Sequence, residues 1–212
     1  YARVTGVQTC ALPILNNIKV VLLGDSNVGK TSILNYYIDK GDLSKSPTIG
    51  ASSRSKEVLF DGKRFNLDIW DTAGSESYRD LVPMYIHDAA AAVIVCDLTS
   101  QQSINNIEYW KAFVDDNGKT IVNVLCCNKF DLETKKAVDI EEVQEIADKL
   151  NLNYFETSAV NGNGIDHMFE YIVSTYAIEC PGDNAGPDGR VSLKEKKKKR
   201  KKIGRASCRE RV

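Results

Sequence analysis

The sequence predicts an α/β protein, with a six-stranded, mostly parallel sheet that carries helices on both faces. Three observations support this. IKVVLLG (Ile18–Gly24) and AAAAVIVC (Ala89–Cys96) are apolar without alternation, as strands buried on both faces are. Segments with helical spacing of apolar residues alternate with such runs. One hairpin signal, Asp61-Gly62, joins EVLF to KRFNLDIW near the start.

The elements follow in order. After the first strand, KTSILNYYIDK has Ile33, Leu34, Tyr37 and Ile38 at helical intervals. The hairpin supplies two strands, and AAAAVIVCDLT a buried fourth. SINNIEYWKAFVDD places Ile104, Ile107, Trp110, Lys111 and Val114 on a helix, and IVNVLCCNKFD reads as strand then loop. DIEEVQEIADKL is an amphipathic helix with acids in its first turn, where the helix dipole favours them. NYFETSA is a short strand and GIDHMFEYIVSTYAI the last helix. PGDNAGPDG then reads as a turn-rich linker to KEKKKKRKK (Lys194–Lys202).

The 212 residues, 42% of them hydrophobic, suit one compact domain plus a tail. The net charge of −1 gives no global field for nucleic acid, and no nucleic-acid partner is expected. Cys96, Cys126 and Cys127 sit in apolar runs and read as reduced, buried thiols rather than as a disulfide framework. Neighbouring cysteines on a strand point to opposite faces, which disfavours a shared metal. No apolar stretch approaches the roughly 20 residues of a membrane-spanning helix.

GDSNVGKTS (Gly24–Ser32) lies between a strand and a helix. Gly24, Gly29, Lys30 and Thr31 satisfy G-x-x-x-x-G-K-[ST]. The glycines let successive N–H groups of Asp25, Ser26, Asn27 and Val28 curl toward phosphate oxygens, and the helix adds its positive end. Lys30 would reach the β- and γ-phosphates, and the Thr31 hydroxyl would bind Mg²⁺. A chance match on a polar turn is the competing reading; the strand before and helix after speak against it. Asp71 ends the strand LDIWD, where such a protein needs a carboxylate to hold Mg²⁺ through water.

In order, GDSNVGKTS, PTIG, WDTAGSESYR, NKFD and ETSA resemble the motifs of the Ras superfamily of small GTP-binding proteins. WDTAG, the DLT after the next strand and the basic tail resemble its Rab branch. The resemblance runs from about Ile18 to Ile178 and implies a P-loop NTPase G domain. It implies binding of GTP and GDP with Mg²⁺, and hydrolysis by water attack under electrostatic stabilisation. By the same resemblance Thr48 senses the γ-phosphate and binds Mg²⁺, and the Gly74 N–H contacts that phosphate. Asn128, Lys129 and Asp131 form the base pocket: Asp131 accepts two hydrogen bonds from guanine, selecting against ATP. Asn128 reaches N7 and the Lys129 stem lies along the base. Ser158 and Ala159 complete the pocket. The same three residue types also make ordinary polar loops. A P-loop kinase or ATPase would further need an acceptor site and a lid.

Ser75 departs from the family's pattern, which has a glutamine that positions the attacking water. Serine is too short for that reach, so intrinsic hydrolysis is expected to be slow; a GTP-binding interaction module that hardly hydrolyses is the alternative. Asn27 replaces a usual glycine and tolerates left-handed backbone. The segment before Thr48 is one residue short and lacks an aromatic for guanine, Leu43 being the nearest candidate. Of three effector-facing apolar positions Trp70 and Tyr85 are present, and Ser53 stands for the third. Lower nucleotide affinity and atypical effector choice follow.

The expected partners are an exchange factor, a GTPase-activating protein, effectors and membrane. The expected location is cytoplasmic, peripheral on the cytosolic face of endomembranes. The organisation is expected to be a G domain over 16–178 and a flexible basic tail over 179–202. RVTGVQTCALPI and IGRASCRERV resemble translated adaptor sequence, so 1–15 and 203–212 read as non-native. Cys208 is not fourth from the end and makes no prenylation box, so a native prenylated end would be missing. The lysine run suits anionic lipid, at about 1 kcal/mol per residue near the surface, and equally a nuclear localisation patch or a solvated tail.

Overall fold

The computed structural model describes residues 16–40, 50–74, 80–132, 134 and 136–180. Six strands form one sheet: β1 (Asn16–Leu23), β2 (Ala51–Phe60), β3 (Lys63–Thr72), β4 (Ala91–Asp97), β5 (Val122–Asn128) and β6 (Asn153–Glu156). Their spatial order is β2-β3-β1-β4-β5-β6. Only β2 runs antiparallel, paired with β3 through Ser53↔Trp70. The other neighbours are parallel, with Ile18↔Leu67, Val20↔Ala91, Cys96↔Cys127 and Cys127↔Glu156 in register. The strand order reverses beside β1, so the loops after β1 and β4 diverge and open a crevice at the carboxyl edge.

Period-two alternation sorts the core into two layers. Val20, Leu22, Val93, Val95, Val124 and Cys126 face α1 (Lys30–Asp39) and α6 (Ile165–Glu179), where Ile33, Tyr37, Phe169 and Ile172 meet them. Val21, Leu23, Ile94, Cys96, Leu125 and Cys127 face the opposite layer. That layer holds α2 (Val82–Ile86), α3 (Gln101–Asn105), α4 (Ile107–Asn117) and α5 (Ile140–Lys149). The helices on both faces and the mostly parallel sheet are as expected.

Cys126 and Cys127 lie in opposite layers, and all the cysteines among the described residues are free thiols. Burial pushes the Cys126 thiol up to about 12. Cys127 is raised as well, first by its hydrogen bond with Cys96 and then by burial.

Three elements differ from the sequence expectation. β2 starts at Ala51, six residues before Glu57, because pairing with β3 continues through polar residues up to Ala51↔Thr72. An outer strand half exposed on its faces needs no apolar alternation, so its pattern is silent. The helix expected from Ser103 is two helices broken at Asn106, the first capped by the Ser100 hydroxyl, which accepts from the Ser103 N–H. The five-residue α2, with Pro83 in its first turn, is too short to show a period.

Phe169 is fully buried and stacks on Tyr37 with ring centroids 3.9 Å apart. Phe169→Ala should lower unfolding stability by about 3–5 kcal/mol in urea titrations, against within about 0.5 kcal/mol for Leu59→Ala on exposed β2.

Candidate functional site

The loop after β1 is shaped by backbone that side chains would obstruct. Gly24 has φ +139°, and a Cβ there would lie 2.2 Å from the Val95 carbonyl oxygen of β4. Gly29, at the start of α1, has φ +100°, and a Cβ there would lie 2.3 Å from the Asn128 amide nitrogen of β5. Between them Asn27 is left-handed at φ 65°, as its residue type permits. Ser26 and Asn27 are exposed and Val28 is buried. Ser32 lies in the first turn of α1.

Lys30 curls back inside this loop. Its Nζ donates to the Gly24 carbonyl at 2.8 Å and to the Asp25 carbonyl at 2.6 Å. Burial pulls its pKa down to about 8, with Asp71 and then Asp25 opposing the shift. Thr31 donates from Oγ1 to Asp71 Oδ2 at 2.6 Å. Asp71 is fully buried at the end of β3, and Thr72 beside it donates to the Leu22 carbonyl of β1. Gly74 abuts the loop so closely that a Cβ would sit 2.4 Å from the Asp25 carbonyl oxygen. The Ala73 N–H donates to the Gly50 carbonyl, tying the end of β3 to the chain ahead of β2.

A second cluster lies at the tips of β4, β5 and β6. Asn128 is buried and bridges the two clusters: its Nδ2 donates to the Val28 carbonyl at 2.8 Å, and its Oδ1 accepts from the Ala159 N–H at 3.3 Å. Ser158 donates from Oγ to Asp131 Oδ1 at 2.6 Å. Lys129, left-handed at φ 64°, pairs through Nζ with Asp97 Oδ2 at 2.5 Å. Asp97 Oδ1 accepts from both the Thr99 N–H and hydroxyl, which gives the DLT stretch a task in fixing Lys129. Sequence reasoning missed Asp97 as a site residue; its position at a strand tip was the available signal.

The two clusters thus meet through Asn128 at one edge of the sheet. Thr48, Ser75 and Leu43 lie outside the described residues, as does the lysine run.

Thr31 and Asp71 offer a hydroxyl and a carboxylate oxygen side by side. Those are hard oxygen donors of the kind Mg²⁺ takes with few protein ligands. Among the described residues no group of three or more His, Cys, Asp or Glu could hold a metal alone. The residues present therefore fit a magnesium ion that completes its shell with water and phosphate.

On the outer face, Trp70 and Tyr85 lie with ring centroids 5.6 Å apart, and Lys19 Nζ stands 5.3 Å over the Trp70 ring. Ser53, exposed, pairs directly opposite Trp70. Leu81 and Met84 beside Tyr85 are also exposed.

Comparison with known proteins decides the family. The profile of the Ras family matches residues 19–177. The chain belongs to the Ras family, as a Rab-like small GTPase. It is 40% identical over 185 residues to the GTP-binding protein YPT53 of Saccharomyces cerevisiae, covering 84% of this chain and 83% of that protein. It is 40% identical over 169 residues to the mouse Ras-related protein Rab-27A, covering 74% and 76%. The rat Rab-27A is 39% identical over the same length. Small GTPases of this family work with regulators and effectors, and this one shares that general mode.

Lys30 gives the site a pH dependence. In the free GTPase it is charged below about pH 8 and neutral above. A phosphate placed beside Lys30 would restore the charge, so its binding above that pH would take up a proton. GDP affinity should be flat between about pH 6.5 and about pH 7.5, then fall by up to about tenfold per unit above pH 8. Lys30→Met should bind more weakly, with a flat profile, in calorimetric titrations.

Proposed function

We propose that this Rab-like GTPase binds GTP and GDP with Mg²⁺ at the carboxyl edge of its sheet and switches vesicle-traffic partners between the two states. One observation carries the reading: Asn128 joins the glycine loop around Lys30, at 2.8 Å to the Val28 carbonyl, to the Ala159 N–H at 3.3 Å, next in the chain to Ser158, which bonds Asp131. A phosphate cradle and a polar pocket for a base are thereby fixed at one separation.

Lys30 leaves its two loop carbonyls for the β- and γ-phosphates, a better partner for an ammonium than neutral dipoles. Thr31 and Asp71, the latter through water, hold Mg²⁺, which neutralises phosphate charge when bound. Thr48 and Gly74 sense the γ-phosphate. Asp131 pairs with the guanine N1–H and amine, and Ser158 orients that carboxylate. Asn128 and Lys129 shape the rest of the pocket, and the Ala159 N–H stands near the guanine O6.

Effectors dock on Trp70 and Tyr85, with Ser53 leaving the third apolar position empty of bulk. An exchange factor and a GTPase-activating protein set the switch. The lysine run draws the protein to the cytosolic face of endomembranes. No helix among the described residues is long and apolar enough to cross a membrane.

Labelled GDP on the stripped protein should be displaced by equimolar GTP and resist a thousandfold excess of ATP. Asp131→Ala should lose that discrimination, because the buried donor pair of guanine then finds no acceptor. Displacement by ATP from wild type would favour a P-loop kinase or ATPase instead.

Ser75 makes hydrolysis slow. In single-turnover assays Ser75→Gln should hydrolyse GTP faster than wild type, by about tenfold or more if the longer side chain orders the water. An equal or slower rate removes the argument. No turnover in either form, with GTP retained, favours the interaction module.

A further inference from the structure

The second residue of the phosphate loop is an acid, an awkward choice beside a triphosphate. We propose that Asp25 is a positioning residue whose carboxylate is clamped by Asn106 and Trp110, so that helices α3 and α4 hold the loop in its nucleotide-binding shape. Asn106 Nδ2 donates to Asp25 Oδ2 at 2.7 Å and Trp110 Nε1 donates to Asp25 Oδ1 at 2.9 Å. The donors come from 81 and 85 residues away, from the break between α3 and α4 and from the second turn of α4.

The clamp does two things. It turns a negative charge outward from the loop's inner face, where a free carboxylate would repel phosphate. It also anchors the same residue's carbonyl, which accepts from Lys30 at 2.6 Å and against which Gly74 packs. One residue thus ties the lysine, the chain after β3 at Gly74 and the α3–α4 layer together. Neutral donors on a carboxylate make the stronger class of hydrogen bond, and Trp110, only 2% exposed, cannot easily swing away. Asn106 sits at the junction of α3 and α4, which sets its side chain toward the loop.

This rests on the reading of the loop as a nucleotide site, and two measurements separate the two ideas. The first is dissociation of labelled GDP from the full chain with Mg²⁺. Trp110→Phe and Asn106→Leu should each speed release by roughly five- to tenfold, as loss of a charge-assisted bond predicts. Asp25→Ala should also speed it, Asp25→Asn less. In the Asp25→Ala background neither Trp110→Phe nor Asn106→Leu should add anything. Equal acceleration by Trp110→Phe in both backgrounds would mean that the indole acts through packing alone, and would overturn the proposal. No change in any variant would overturn it too.

The second measurement needs no ligand. The Trp110 indole N–H proton resonance should move upfield in Asp25→Ala. An unmoved signal overturns the clamp. Wild type that retains no labelled GDP overturns the nucleotide reading and with it the proposed role, while the indole signal still reports the contact.

Discussion

Lys30 carries a charge to a place where only 5% of the residue meets solvent, and its nearest partners are two backbone carbonyls rather than a carboxylate. A buried ammonium so placed is destabilising unless its surroundings are fixed, which is why its pKa falls to about 8. The surrounding chain meets that demand. Gly24 and Gly29 let the loop close over the ammonium against Val95 and Asn128. Asp71 adds a compensating field from β3, and Thr31 fixes Asp71. An anion entering the loop would offset the desolvation of the cation better than two neutral carbonyl dipoles do.

Topology sets where this happens. β1, β3, β4 and β5 run parallel, so their carboxyl ends crowd one edge and deliver Gly24, Asp71, Asp97 and Asn128 to neighbouring positions. The two packed layers hold those ends still: α1 and α6 on one face, α2 to α5 on the other. Asn128 and Asp25 are the residues that convert this rigidity into site geometry. Each bonds to a segment some 80 to 100 positions away in sequence, Asn128 to the loop at Val28 and Asp25 to the α3–α4 junction.

Much of this was legible in the sequence because it is written in local patterns. Unbroken aliphatic runs marked β1 and β4, and the spacing of Gly24, Gly29, Lys30 and Thr31 marked the loop. Asn27 takes the left-handed backbone its residue type allows. That Ser53 sits directly opposite Trp70 came only from the β2–β3 register. The missed parts have non-local causes. Trp110 read as a core residue and is one; only its ring edge, reaching Asp25, was invisible to helical periodicity. Asp97 looked like a strand terminus, and its grip on Lys129 depends on the β4–β5 register. The polar start of β2 is strand because β3 offers it a ladder, not because its side chains prefer one.

The proposed function stands on a purine nucleotide at this edge, with its base read by the β5 and β6 loops. Mild purification in Mg²⁺, acid release and chromatography of what comes off would test it most directly. Close to one equivalent of guanine nucleotide per chain is expected. Protein that releases no nucleotide, or adenine nucleotide instead, would contradict it.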